Sequence, residues 1–321
     1  MASLATAQPA NLGRCTPQMV SHMAEALLHD QPVEPCDRTV DLVAATHRPG
    51  WITSTVENPA GARIALIDSA LTTYLWDVAE QRLLAEYWTG GSDTIPLAPS
   101  FSADGAWLAT PCVTCSTTLV SMRTLKRVAN FPGQFDPIFS PTRPDRLYTL
   151  QPVERGAFTE AAWWFNVWDL SHLSHVTPDG LDDPLAQSPE NASRLAVRVP
   201  VTLPGGRNKV VINTDGTMVA VLTHSEATLI DLRTFAVRRM PLPTASSVQG
   251  HSTGIALNTD GTLAFVLRDD LVHVLSTVSG RVLHRLPAFG ASMLLLSDDG
   301  RSLALGSYIA SIIRIYSVVQ N

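Results

Sequence analysis

Residues 257–266 read LNTDGTLAFV, a polar turn that leads into a short apolar strand. The Asp-Gly pair at its centre favours a tight turn, because glycine accepts a positive φ angle and aspartate bonds its own backbone. The same turn or a weaker equivalent recurs along the chain at Gly61, Gly105, Asp145, Gly216 and Gly300. This recurrence of turn and strand predicts an all-β protein built from repeated units.

Each turn is followed by further strands at a similar spacing. A third strand often ends in an acidic residue, as in YLWD at 74–77 and FNVWD at 165–169, and a fourth follows, as in RVLHRL at 281–286. Successive turns lie 39 to 45 residues apart, except for 71 residues between Asp145 and Gly216. The sequence therefore predicts units of four short antiparallel strands.

Four strands per unit, the period, the Asp-Gly turn and a Trp-Asp dipeptide resemble the WD-repeat (WD40-like) β-propeller family. Trp-Asp occurs at 76–77 and 168–169, and the Gly-His dipeptide of that family occurs at 250–251. The likeness extends over about residues 39–319 and is that of a divergent member, so the family's hydrogen-bonded His and Trp network is not implied in most blades. It implies a single propeller that acts as a protein–protein interaction scaffold or as a subunit of a larger assembly.

The spacing favours six blades, with seven as the alternative. From Asp145 to Asp169 is 24 residues, against 16 from Gly61 to Asp77, and the stretch that follows is 19 residues longer than its counterpart. An excess of 19 residues is less than half a blade, and RLAVRV at 194–199 has the pattern of a fourth strand. The last unit ends on a third strand, so we expect residues 39–44 to supply its fourth strand and close the ring.

The first 38 residues precede the repeat and are predicted to form an extension with one amphipathic helix. Thr16 and Pro17 suit a helix start, since a hydroxyl can cap the first turn and proline fits its first position. The apolar residues that follow at spacings of three and four are Met19, Val20, Met23, Ala24, Leu27 and Leu28. This stripe either packs on the propeller of residues 39–321 or docks on a partner.

The composition limits the classes of partner. Charged residues make up 16% of the chain and the formal net charge is −6, so there is no general attraction for nucleic acid or an anionic membrane. No run reaches the roughly eighteen apolar residues that a membrane span needs. The N-terminus has no signal-peptide pattern, and four cysteines do not make a disulfide framework. We expect protein partners and an intracellular, cytoplasmic location.

The longer hairpin, residues 151–164, is the candidate partner-binding surface. Exposed aromatic and arginine side chains are typical anchors of protein interfaces. The residues predicted to bind a partner are Arg155, Phe158, Glu160, Trp163 and Trp164. Because side chains alternate along a strand, Trp163 and Trp164 must point to opposite sides. The alternative is that both tryptophans pack between neighbouring blades.

Two other clusters contain possible metal ligands. Cys112 and Cys115 form a Cys-x-x-Cys between strands, without the adjacent helix of redox pairs or the further ligands that zinc requires. His172 and His175 lie in a second insertion, residues 171–193, whose prolines and glycine indicate a solvated loop. The sequence predicts no metal site and no cofactor.

Recognisable catalytic motifs are absent from the sequence. It contains no Gly-x-x-x-x-Gly-Lys phosphate loop, no Gly-x-Ser-x-Gly elbow and no His-Glu-x-x-His. These absences favour binding over catalysis. The alternative function is a propeller enzyme of hydrolase or lyase type, or a small-molecule binder, with polar side chains that converge on the mouth of the central channel.

Overall fold

The computed structural model describes residues 52–68, 72–80, 82–88, 98–111, 116–153, 162–171, 173, 194–204, 209–243, 254–288, 290–291, 293–297, 300, 302–306 and 313–317. These residues form six antiparallel sheets, five of four strands and one of three. Within each sheet, every strand pairs with the next strand along the chain. The all-β architecture of repeated four-stranded units is therefore confirmed.

The strands follow one another in the same order in each sheet. The first two sheets contain β1 (Ile52–Glu57), β2 (Arg63–Asp68), β3 (Thr72–Asp77) and β4 (Arg82–Trp88), then β5 (Ser100–Phe101), β6 (Trp107–Thr110), β7 (Ser116–Ser121) and β8 (Arg127–Pro132). The third and fourth contain β9 (Phe135–Phe139), β10 (Arg146–Pro152), β11 (Ala162–Asp169) and β12 (Arg194–Thr202), then β13 (Lys209–Ile212), β14 (Met218–Leu222), β15 (Glu226–Asp231) and β16 (Val237–Pro241). The fifth and sixth contain β17 (Gly254–Leu257), β18 (Leu263–Arg268), β19 (Leu271–Ser276) and β20 (Val282–Pro287), then β21 (Met293–Leu296), β22 (Ser302–Gly306) and β23 (Ile313–Ser317).

The apolar cores lie between successive sheets. Side chains alternate along a strand, so a sheet can present one apolar face to the sheet before it and another to the sheet after it. Five clusters of buried side chains each join two neighbouring sheets, as Phe165 with Val219 and Leu229 with Val266 illustrate. The first strands also contact one another in order, from β1 through β5, β9, β13 and β17 to β21. Sheets arranged around their first strands in this way form a β-propeller.

The Asp-Gly turns of neighbouring sheets contact one another. Gly216 and Gly261 have φ angles of 66° and 73°, a region that glycine adopts without the strain of a side chain. A Cβ atom on Gly261 would lie 3.2 Å from Cβ of Met218 in the preceding sheet. Across the same boundary, Nδ2 of Asn213 donates to the carbonyl oxygen of Thr259 at 2.7 Å. The repeated turn therefore both closes a hairpin and joins two sheets.

The third sheet accounts for the long interval between Asp145 and Gly216. β12 pairs with β11 from one end to the other, with Arg198 opposite Asn166, so the expected fourth strand is confirmed. The rest of the extra length, residues 154–161 and 174–193, lies outside the described residues. Six sheets among the described residues agree with the favoured blade number.

Two expectations concern residues that the structure does not describe. The helix in residues 1–38 and the closing strand at 39–44 both lie outside the described residues. The sixth sheet has three strands within the described part of the chain, β21 to β23. Among the residues that are described, no helix is long and apolar enough to cross a membrane.

Candidate interaction surface

The structure separates the two tryptophans of the predicted surface. The side chain of Trp163 is fully buried, at 0% exposure, and its ring packs edge-on against Phe135 with centroids 6.3 Å apart. It belongs to the core between the third and fourth sheets. Trp163 therefore packs between blades, as the alternative interpretation predicts for both tryptophans, and is not part of an exposed surface. Trp164 is partly exposed, and Arg155, Phe158 and Glu160 lie outside the described residues.

Trp164 forms a pair with an arginine on the outermost strand of the same sheet. The guanidinium carbon of Arg198 lies 5.5 Å from the centroid of the Trp164 ring, within the range of a cation–π interaction. Arg198 is exposed, and Val153 at the end of β10 is 47% exposed. An apolar side chain directly after β10, an aromatic ring on β11 and a guanidinium on β12, the outermost strand, thus lie on neighbouring strands of the third sheet.

Hydrogen bonds hold Arg198 in this position. Its Nε donates to Oδ1 of Asn166 at 3.0 Å, and its Nη2 donates to Oε1 of Gln151 at 3.2 Å. Nδ2 of Asn166 also donates to the same Gln151 oxygen at 3.3 Å. A long, flexible side chain is therefore held in one orientation before any partner binds.

A buried polar network lies beneath this surface. Nε1 of Trp168 donates to Oγ1 of Thr149 at 2.8 Å, and that hydroxyl donates to Oε1 of Gln134 at 2.7 Å. Nδ2 of Asn166 donates to the same Gln134 oxygen at 2.7 Å. Asn166, Thr149 and Gln134 are each at most 3% exposed. Buried donors and acceptors that satisfy one another fix a single arrangement, so the network anchors the residue that orients Arg198.

The same network ties the third sheet to the second. Oγ1 of Thr117, in β7, donates to the carbonyl oxygen of Gln134 at 2.9 Å. Trp168 packs edge-on against Phe131 of β8, with ring centroids 5.0 Å apart. The surface around Trp164 and Arg198 is therefore built on a rigid junction between two sheets.

Arg198 could not be selected as a site residue from the sequence. It follows Trp164 by 34 residues in the chain, beyond the second insertion. Its role depends on the register of β11 and β12, which places Arg198 opposite Asn166. The feature of the sequence that could have indicated Arg198 is the alternation of polar and apolar residues in the predicted fourth strand, which places its side chain on the polar face.

The first strands of the sheets carry few ionisable side chains in the described part of the propeller. Glu57, Asp136 and Lys209 lie in three different first strands, and burial lowers the pKa of the Lys209 ammonium group. Among the described residues, no group of three or more His, Cys, Asp or Glu side chains could hold a metal ion. The pairs Cys112/Cys115 and His172/His175 lie outside the described residues.

Comparison with known proteins supports the fold. No protein-family model matches the chain, and no curated protein matches it. The chain is similar to the β-propeller domain of Cps50 (Swd1) from Myceliophteria thermophila, with a TM-score of 0.56 and 15% identity, covering 84% of this chain and 83% of that one. It is also similar to hydrazine synthase from Kuenenia stuttgartiensis, with a TM-score of 0.47 and 15% identity, covering 86% and 97%. The first likeness shows that the chain is a β-propeller.

Proposed function

We propose that this propeller is a protein-interaction scaffold, or a subunit of a larger assembly, that binds a partner at the outer edge of its third sheet. The partner-binding surface comprises the partly exposed Trp164 and the exposed Arg198, with Gln151 and Val153 beside them. The neighbouring hairpin residues Arg155, Phe158 and Glu160 extend the proposed surface. The scaffold is proposed to act in the cytoplasm, as the sequence leads us to expect.

The observation that carries this proposal is the fixed Trp164–Arg198 pair. Tryptophan and arginine are enriched among the residues that dominate the energy of protein interfaces. Binding usually costs the entropy of ordering long side chains, and the hydrogen bonds of Arg198 to Asn166 and Gln151 reduce that cost. Trp164 can gain contact area in a complex because it is only partly buried.

The experiment begins with capture of partners by the tagged full-length chain and their identification by mass spectrometry. Each stoichiometric partner is then purified, and its dissociation constant is measured for the wild type, Trp164→Ala and Arg198→Ala. We expect each substitution to weaken binding by about tenfold or more, as for a residue at the centre of an interface.

The matched control is Val278→Ala, which truncates a side chain that is 72% exposed in the turn between β19 and β20. It should leave the dissociation constant unchanged. The proposed surface is wrong if purified partners bind Trp164→Ala and Arg198→Ala as tightly as the wild type. The scaffold function itself is wrong if the intact chain captures no stoichiometric protein. Circular dichroism of each variant checks that the propeller remains folded.

A further inference from the structure

The fifth sheet repeats the geometry of the proposed surface with different chemistry. In the third sheet, Arg198 lies opposite Asn166, which lies opposite Thr149. In the fifth sheet, Arg285 lies opposite His273, which lies opposite Val266. These two sets of three cross-strand neighbours occupy equivalent positions, since Thr149 and Val266 each follow the first residue of the second strand by three positions. The counterpart of Gln151, two residues further along, is Arg268.

The substitution of these polar residues changes what the position can bind. In the third sheet, the amide oxygens of Asn166 and Gln151 accept hydrogen bonds from Arg198. In the fifth sheet, His273 replaces Asn166 and Arg268 replaces Gln151. A guanidinium has only N–H donors and no atom that can accept a hydrogen bond. At this position the third sheet has amide oxygens that accept the hydrogen bonds of its arginine. The fifth sheet has a second arginine there, so its hydrogen-bond donors outnumber its acceptors.

Two of these side chains are buried with a polar atom unsatisfied. Arg268 is 8% exposed and His273 is 5% exposed. Within the described residues, Nε of Arg268 and Nδ1 of His273 have no hydrogen-bond partner. A buried N–H of a guanidinium without a partner costs free energy, which a bound acceptor would recover.

The charges around His273 favour an anionic acceptor. Burial lowers the pKa of the His273 imidazole, the positive charges of Arg285 and Arg268 lower it further, and the carboxylate of Asp269 opposes them. Of the charged groups that act on His273, two are guanidinium groups and one is a carboxylate, so the position has an excess of positive charge. A ligand group with a single negative charge would neutralise it, and a carboxylate has that charge at neutral pH.

The position lies between two sheets and reaches the outer surface of the propeller. Val266, on the same face of β18 as Arg268, packs in the core shared with the fourth sheet. Arg285 lies on the outermost strand and is exposed, so solvent reaches it. Beside it on β20, Leu283 is 49% exposed. Charge and apolar surface thus occur together on this edge, as in the binding site of a protein segment.

We propose that Arg268, His273 and Arg285 form a carboxylate-binding site between the fourth and fifth sheets, which binds an acidic side chain of a partner protein. The carboxylate accepts hydrogen bonds from Arg268 and Arg285, and an apolar neighbour in the partner packs on Leu283. This site lies two sheets away from Trp164 and does not depend on the function proposed for that surface.

The test uses the full chain labelled with 15N-arginine and two peptides, an acetylated and amidated LELEL and its glutamine analogue LQLQL. The Nε–Hε resonance of Arg268 is assigned from its loss in Arg268→Gln. We expect LELEL to shift this resonance saturably and LQLQL to leave it in place. Arg268→Gln and Arg285→Gln should each weaken LELEL binding about tenfold, as hydrogen bonds between charged groups are lost.

The control Arg281→Gln removes the same charge from an exposed residue next to β20 and should leave the affinity unchanged. Trp164→Ala should also leave it unchanged, which separates this site from the surface on the third sheet. Arg285 is exposed, so Arg285→Gln tests the site even if Arg268→Gln fails to fold. An unmoved Arg268 resonance, or equal affinity in wild type and Arg285→Gln, would overturn the site. Equal saturation by sodium acetate would overturn the assignment to a partner protein.

Discussion

The guanidinium of Arg198 lies 5.5 Å from the centre of the Trp164 ring, and the two side chains come from neighbouring strands of one sheet. Arg198 is held by Asn166, which is itself bonded to the buried Gln134. The Trp164–Arg198 pair at the surface is therefore connected by hydrogen bonds to buried residues of the core. This continuity explains how an edge of a propeller can present an arginine in a fixed orientation.

Arg198→Ala should weaken partner binding and also lower stability. Arg198 is exposed, and an exposed cation–π pair contributes only about 0.5–1 kcal/mol. The truncation also removes the hydrogen bond from Nε of Arg198 to Oδ1 of the buried Asn166, which costs about 1–3 kcal/mol. We expect the free energy of unfolding in urea to fall by about 1–3 kcal/mol, and partner affinity to fall by about tenfold. A loss of stability with no loss of affinity would show that Arg198 supports the core rather than the surface.

Trp163→Ala should lower the free energy of unfolding much more than Trp164→Ala. Trp163 is fully buried, so its truncation leaves a cavity and should lower the free energy of unfolding by about 3–5 kcal/mol. Trp164 is partly exposed, and its truncation should cost about 1 kcal/mol or less. Urea denaturation followed by circular dichroism compares the two variants. Equal losses would contradict the packing found here, and only Trp164→Ala is suited to a binding test.

Thr149→Val should destabilise the protein through the buried network. The hydroxyl of Thr149 accepts from Nε1 of Trp168 and donates to Oε1 of Gln134. A valine would leave Nε1 of Trp168 unsatisfied, whereas Oε1 of Gln134 would keep the hydrogen bond from Nδ2 of Asn166. We expect the free energy of unfolding to fall by about 1–3 kcal/mol.

The control is Thr228→Val, because Thr228 is fully buried and its hydroxyl has no hydrogen-bond partner among the described residues. This second valine should leave the free energy of unfolding unchanged or raise it. Similar losses in both variants would show that the volume and shape of the side chain matter here, and not the hydrogen bonds.

The repeat could be predicted from the sequence because its turns depend on local chemistry. Asp-Gly at 260–261 specifies a hairpin through backbone conformation alone, and the observed φ of 73° at Gly261 agrees. The fourth strand of the third sheet could also be predicted, because the pattern of polar and apolar residues at 194–199 is local and does not depend on the insertion before it.

The surface could be predicted only in part because it depends on contacts between distant strands. Alternation correctly placed Trp163 and Trp164 on opposite sides, but which side is buried depends on the fourth sheet, where Val219 and Val221 complete the core. Arg198 and Arg268 acquire their surroundings from strand register, which no local pattern specifies. The residues of both proposed sites therefore belong to no motif that could be recognised in the sequence.

Asn213→Ala should weaken the junction between the fourth and fifth sheets. Oδ1 of Asn213 accepts from the backbone nitrogen of Met218 at 2.8 Å, and its Nδ2 donates to the carbonyl oxygen of Thr259 at 2.7 Å. Asn58→Ala is the matched control, since Oδ1 of Asn58, like that of Asn213, accepts from two backbone nitrogens of its own sheet, those of Ala62 and Arg63. We expect Asn213→Ala to lower the free energy of unfolding by about 1 kcal/mol more than the control, the value of one hydrogen bond. Equal losses would mean that the bond to Thr259 adds nothing.

His273 should make stability depend on pH in the weakly acidic range. Its pKa in the folded protein is lowered below the ordinary 6.5 by burial and by Arg285 and Arg268, against the opposing charge of Asp269. Between the folded value and 6.5, the unfolded chain binds more protons, so the stabilisation is complete above about pH 6.5 and is lost as the pH falls towards the folded pKa.

The free energy of unfolding, measured in urea from about pH 7 down to about pH 5, should therefore fall more steeply in the wild type than in His273→Gln. His284→Gln, which alters the adjacent exposed histidine on β20, is the control and should follow the wild type. Parallel curves for the wild type and His273→Gln would contradict the prediction. If LELEL fills the site, its carboxylate stabilises the imidazolium, so the peptide should flatten the wild-type curve at the acidic end. That response would connect the titration of His273 to an anion bound at the same position.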